Sequence, residues 1–239
     1  MASRSADYFV RKTLAQNWAA EQINYTILKI ENSLYRDICV AAFLSNSRAV
    51  EVCTLKWSDI SVQKDLNGRP VYYFSIHQEK RKDNYIKTVP IAPRAEREFA
   101  PLIKLLEARL YPLFSKAVDR DGWVFGDPQV TYVRGRLKKN GVYALRTNCK
   151  LARNLKEYLR HNYNLNVHMF RHARTSYLAH VRKVDFLSLV AWGGWKDFET
   201  PFNYLRNKRA DELLPSDQPT LKEDMLQLSL LVKRIAQRT

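Results

Sequence analysis

One change of period constrains this chain more than anything else in it. Apolar residues recur at helical spacing through most of its length. Between residues 60 and 92 that pattern gives way to alternation with a period of two. Inside that stretch Asn67-Gly68 predicts a tight hairpin turn, set between Ile60-Ser61-Val62 and a run over 71–76. The polar run over 80–84 predicts a second turn, rich in lysine, and residues 86–91 read as the return strand. One small three-stranded antiparallel sheet among helices follows, so the fold class is α+β and mainly helical.

The flanking helices can be read one by one. Ile23, Ile27, Ile30, Leu34, Ile38 and Ala42 fall near helical spacing, as two helices meeting around Asn32. Ser45-Asn46-Ser47 breaks the pattern and leads into a short helix over 48–55. Phe99, Leu102, Leu106 and Leu110 predict a helix over 94–110, and Trp123-Val124-Phe125 a short buried segment. A helix over 145–160 would turn Leu151, Leu155 and Tyr158 inward. Helices over 167–181 and 184–190 follow, then a short helical piece over 200–205 that carries Tyr204. A last helix starts at Thr220, with Glu223 in capping-box spacing and a stripe of Leu221, Met225, Leu228, Val232 and Ile235. The expected organisation is an arm over 1–20, one domain over 21–214, and a C-terminal helix over 215–239 that closes the core or docks on a neighbouring subunit.

Charge narrows the function. Forty Lys and Arg against twenty-four Asp and Glu leave a formal +16, which suits a polyanion partner, above all nucleic acid. From 134 to 160 only Glu157 opposes a run of cations. Arg134, Arg136, Lys138, Lys139, Lys150 and Arg153 are therefore candidates for phosphate contact. Seven glycines argue against a glycine-rich phosphate loop, and three scattered cysteines argue against a disulfide framework or zinc site. The first residues lack the apolar core of a signal peptide, and no stretch has the length of a membrane span. A soluble intracellular protein, cytoplasmic or nucleoid-associated, with no metal and no cofactor, is expected.

Four segments carry residue types that suit phosphodiester chemistry. They are Ser47-Arg48-Ala49-Val50-Glu51 with Trp57 and Asp59; Ile76-His77-Gln78-Glu79-Lys80 ending in Thr88-Val89-Pro90-Ile91; His168-Met169-Phe170-Arg171-His172; and Gly193-Gly194-Trp195 with Tyr204 nine residues on. Singly each has a plain reading: a surface arginine, a solubilising hairpin lysine, two polar groups sharing one helix face, a core tyrosine. Their order is far more specific. It resembles the tyrosine recombinase (phage integrase) family over residues 21–206. The stretch GGWKDFETPFNYLRN is most similar to the Cre branch, which also uses Trp where most relatives have a second His.

The resemblance implies a site-specific recombinase that cleaves and rejoins double-stranded DNA through a 3′-phosphotyrosine, without metal or ATP, to integrate, excise or resolve a mobile element. Tyr204 is then the nucleophile. Arg48 and Arg171 hold the non-bridging oxygens, for which planar guanidinium forks are well suited. His168 donates to the same phosphate or handles the nucleophile's proton. Trp195 offers only an indole N–H, so it binds without moving protons. Lys80, or alternatively Lys82, protonates the leaving 5′-hydroxyl. Glu51 orients the site, and His172 has a structural or DNA-facing duty. A homo-oligomer on DNA, from dimer to tetramer, is expected.

Two rivals share much of this chemistry: a type IB topoisomerase that relaxes supercoils as a monomer, and a non-catalytic DNA-binding relative. The chain also departs from the family pattern. Only residues 1–20 precede the first helix of the domain, where most relatives carry a separate helical DNA-binding domain. It is therefore expected to be either the catalytic portion of a longer protein or a compact form with a weaker grip.

Overall fold

The computed structural model describes residues 18–78, 85–91, 96–114, 119–137, 143–195 and 198–205; at 132–137, 143–147 and 203–205 it describes the backbone. Residues 1–17 of the arm, Lys80, Lys82, Lys138, Lys139 and the C-terminal helix over 215–239 lie outside the described residues.

Helices α1 (Ala20–Leu28) and α2 (Ser33–Leu44) meet at Asn32, whose side chain accepts from the Tyr35 amide at 3.0 Å and caps α2. Every residue of α2 from Asp37 to Leu44 is buried. A helix apolar on all sides belongs at the centre of a fold, and α2 packs against α1, α3 (Ala49–Cys53), α4 (Ala100–Leu110) and α6 (His168–His180). Its one buried carboxylate, Asp37, is held by Arg109 of α4 at 2.6 Å.

The sheet forms where the period changes. Strands β1 (Ile60–Lys64), β2 (Pro70–His77) and β3 (Ile86–Ile91) pair antiparallel in that order, with Ile60 opposite Phe74 and Tyr72 opposite Ile91. Gly68 takes φ +75° in the first turn, as expected of a hairpin glycine. Alternation puts Tyr72, Phe74 and Ile76 inward from β2, and Lys87, Val89 and Ile91 inward from β3.

A second hairpin differs from the sequence expectation. Strands β4 (Val130–Leu137) and β5 (Tyr143–Cys149) pair antiparallel, and helix α5 (Lys150–Tyr163) begins only at Lys150, not at 145. Leu145 fits the helical stripe of α5, but a strand partner at Arg134 claims it instead. Cys149 is the last residue of β5 and the N-cap of α5 at once, its sulfur accepting from the Ala152 amide at 3.5 Å. Helix α5 is strongly two-faced: Ala152, Leu155 and Leu159 are buried while Lys150, Arg153 and Lys156 are exposed. Helices α7 (Phe186–Gly193) and α8 (Glu199–Leu205) complete the described chain and pack against α6.

Candidate active site

The site begins where α2 stops. Ser45 donates its hydroxyl to the Ala41 carbonyl at 2.6 Å, Asn46 adopts a left-handed φ of +52°, and the Ser47 amide returns to the Ala42 carbonyl at 2.9 Å. Asparagine tolerates this region better than most residues. Here its Oδ1 also accepts from Thr175 Oγ1 on α6 at 3.0 Å. The turn delivers Arg48 to the start of α3. There the Arg48 amide donates to Glu51 Oε2 at 2.9 Å, so a carboxylate satisfies a helix N-terminus.

Glu51 is the hinge of the arrangement. Its side chain is fully buried, with Oε1 2.5 Å from Arg48 Nη1 and Oε2 3.7 Å from Arg171 Nη1. One carboxylate thus brings together two guanidinium groups 123 positions apart in the chain (171 − 48). Arg171 is buried, donates from Nη2 to the Gly193 carbonyl at 2.6 Å, and sits 5.2 Å from the centre of the Trp195 ring.

The two glycines before Trp195 have separate steric reasons. A Cβ on Gly193 would lie 1.9 Å from the Trp195 ring, so the indole occupies the space a side chain would fill. Gly194 takes φ +63°, and a Cβ there would lie 2.6 Å from Gln78 Oε1. Gln78, at the end of the second strand, is buried between Gly194 and Arg48, whose Nη1 lies 3.4 Å from its Oε1.

His168 opens α6, one turn before Arg171, with its amide donating to Asn166 Oδ1 at 3.0 Å. The imidazole is half-buried and meets the buried His172 ring edge-on at 4.7 Å. Helix α8, which carries Tyr204, packs against both α6 and α7. Of the candidate DNA-contact residues, Lys150 and Arg153 are exposed on α5, and Arg134 and Arg136 belong to β4.

Lys87 joins this group, although no residue motif marks it. It is 1% exposed and donates to the carbonyls of Ser45, Asn46 and Trp192 at 3.0, 3.1 and 3.0 Å. Burial and the positive charge of Arg171 push its pKa well below the usual lysine range, while Glu51 pulls the other way. The signal was present in the alternation, since Lys87 shares an inward face with Val89 and Ile91. A second buried cation, Arg174, forms a bidentate pair with Glu96 at 2.7 and 2.9 Å and tethers α6 to the segment before α4.

Arg48 and Arg171 share one carboxylate, Glu51, so the cluster carries two positive charges less one, or +1. Such an excess, half open to solvent through Arg48, suits a bound anion. Among the described residues no three His, Cys, Asp or Glu side chains group as metal ligands would, and no helix is long and apolar enough to cross a membrane.

No family model and no curated protein matches the chain. Solved structures do. A post-cleavage complex of XerH site-specific recombinase with a palindromic difH substrate is 20% identical, with a TM-score of 0.50 over 87% of this chain and 52% of that one. A pre-cleavage XerH complex with difH is 18% identical at a TM-score of 0.48, covering 82% and 50%. An FLP recombinase–Holliday junction complex is 12% identical at 0.47, covering 82% and 49%. The chain therefore spans about half the length of these solved proteins. Its mainly helical architecture with a small three-stranded antiparallel sheet is the fold of a tyrosine recombinase catalytic domain.

Proposed function

We propose that this chain is the catalytic domain of a site-specific tyrosine recombinase that breaks and rejoins double-stranded DNA. The observation that carries the reading is the buried Glu51 carboxylate holding Arg48 and Arg171 side by side, with Trp195 against Arg171 and His168 one turn away. Arginines held for stability alone would be matched by carboxylates rather than left in excess around one of them.

The chemistry follows from the groups. Arg48 and Arg171 donate to the non-bridging oxygens of the scissile phosphate and offset the charge that builds as the nucleophile enters. The Tyr204 oxygen attacks phosphorus, forms a P–O bond and loses its proton, with His168 as the acceptor. The P–O bond to the 5′ oxygen breaks, and a lysine of the hairpin after Gln78 supplies the proton that makes a free 5′-hydroxyl. Lys80 is favoured for that role and Lys82 is the alternative. The reverse steps rejoin a strand at no external energy cost, because the phosphotyrosine ester keeps the bond. Trp195, in the place where most of the family has a histidine, binds and does not titrate, as in the Cre branch.

The exposed cations of α5, Lys150 and Arg153, with Arg134, Arg136, Lys138 and Lys139, contact the phosphate backbone in this reading. Assembly as a dimer or tetramer on DNA, with the stripe from Leu221 to Ile235 on a neighbouring subunit, and an intracellular location belong to the same proposal.

The test is a DNA duplex nicked near the cleavage point, from which the short 5′-hydroxyl fragment diffuses away. The wild-type chain accumulates a covalent protein–DNA adduct on it. Simple relaxation of any supercoiled plasmid, with no exchange between two defined sites, would favour the topoisomerase reading instead.

A further inference from the structure

Among the described residues, Lys87 is the lysine carried fully into the core. A lysine on an inward strand position is costly, and here the cost is increased by Arg171 and Arg48 nearby. What it gains is unusual. All three of its N–H groups meet main-chain carbonyls, those of Ser45, Asn46 and Trp192, at 3.0–3.1 Å. Ser45 caps the end of α2, and Trp192 lies in the last turn of α7, so the ammonium sits against the carbonyl ends of two helices.

Those carbonyls are not scattered. Ser45 and Asn46 lead directly into Ser47-Arg48, and Asn46 is also bound to Thr175 of α6. Trp192 leads directly into Gly193, whose carbonyl receives Arg171, and into Trp195, whose ring lies against Arg171. One side chain from β3 therefore spans the two turns that present the phosphate-binding groups.

We propose that Lys87 is a positioning residue for strand cleavage, holding the Arg48 turn and the Gly193–Trp195 turn at the separation at which Arg48, Arg171 and Trp195 meet one phosphate. The proposal rests on the recombinase reading. It gives a role to a cation that never touches DNA.

The experiment compares the wild-type chain with Lys87→Met, which keeps length and removes every donor. Cleavage of the nicked duplex is followed in a single turnover at saturating DNA, with DNA affinity and thermal unfolding measured alongside. Lys87→Met is expected to hold DNA within about threefold of wild type and to cleave on the order of 100-fold more slowly, the scale of a small misplacement of reacting groups. In an Arg171→Lys background the same change should cost less than about fivefold, because the geometry it protects is already lost. A loss that adds in full on that background marks a general loss of fold stability and overturns the proposal, as does wild-type cleavage by Lys87→Met. Should Lys87→Met not fold, Lys87→Arg carries the test, since it keeps charge and donors on a longer fork. It is expected to fold, hold DNA and cleave slowly, and wild-type speed overturns the proposal. A wild-type chain that forms no adduct removes the recombinase reading and this proposal together, whereas normal cleavage by both wild type and variant removes only the proposal.

Discussion

Replacing Glu51 with glutamine keeps the shape of the side chain and removes its charge. In the wild-type site the carboxylate lies 2.5 Å from Arg48 and 3.7 Å from Arg171, with none of its own surface exposed. Removing one partner from a buried ion pair costs about 3–5 kcal/mol, because the remaining charge stays buried and uncompensated. Arg171 is 3% exposed and takes that cost in full; Arg48 is 24% exposed, so water screens part of its share. About 2–4 kcal/mol is the expected loss, a fall in unfolding midpoint of roughly 5–15 °C for a domain of this size. Calorimetry of the free protein measures it. Duplex DNA should restore part of the loss in Glu51→Gln, since a bound phosphate puts an anion back between the two arginines. A midpoint within about 1 °C of wild type would refute the reasoning, because it would mean that Glu51 is not what makes two adjacent guanidinium groups tolerable.

Gly193→Ala places a methyl 1.9 Å from the Trp195 ring. It should cost about 1–3 kcal/mol and slow adduct formation more than it weakens DNA binding, read by denaturation and single-turnover cleavage. Lys80→Ala and Lys82→Ala can be separated on a substrate with a 5′-thiol leaving group. Only the variant lacking the true acid is rescued, because a thiolate departs without a proton. For Lys87, burial first and Arg171 second lower the folded-state pKa below the ordinary 10.5. Between the two values the unfolded chain binds more protons, so the free energy of unfolding rises with pH across that window. Denaturation of wild type and Lys87→Met over the alkaline range should show that rise in wild type and its loss in the variant; parallel curves would contradict it.

Much of the fold was legible because its signals are local. The period change at residue 60, the Asn67-Gly68 turn and the break at Asn32 each lie within a few residues of the structure they cause. The β4–β5 hairpin was not legible for the opposite reason. The 145–149 segment fits a helical stripe by itself and becomes a strand only through a partner at 130–134. The site divides the same way. Arg48, Glu51, His168 and Arg171 stand out as residue types in order, and the structure brings Arg48, Glu51 and Arg171 into contact. Lys87 and the wedge of Gln78 against Gly194 were invisible to residue type, since a lysine and a glutamine near a hairpin normally serve solubility. Their roles come from main-chain carbonyls and backbone angles contributed by other elements.

Tyr204 is the residue on which the whole account turns, and mass mapping of the covalent product is its most direct test. The wild-type chain, incubated with the nicked duplex and digested, should yield one peptide carrying a 3′-linked nucleotide at Tyr204. Tyr204→Phe should bind the same DNA with nearly unchanged affinity and yield none, because it lacks only the attacking hydroxyl. An adduct that persists in Tyr204→Phe, or a wild-type chain that forms none under saturating DNA, would contradict the account.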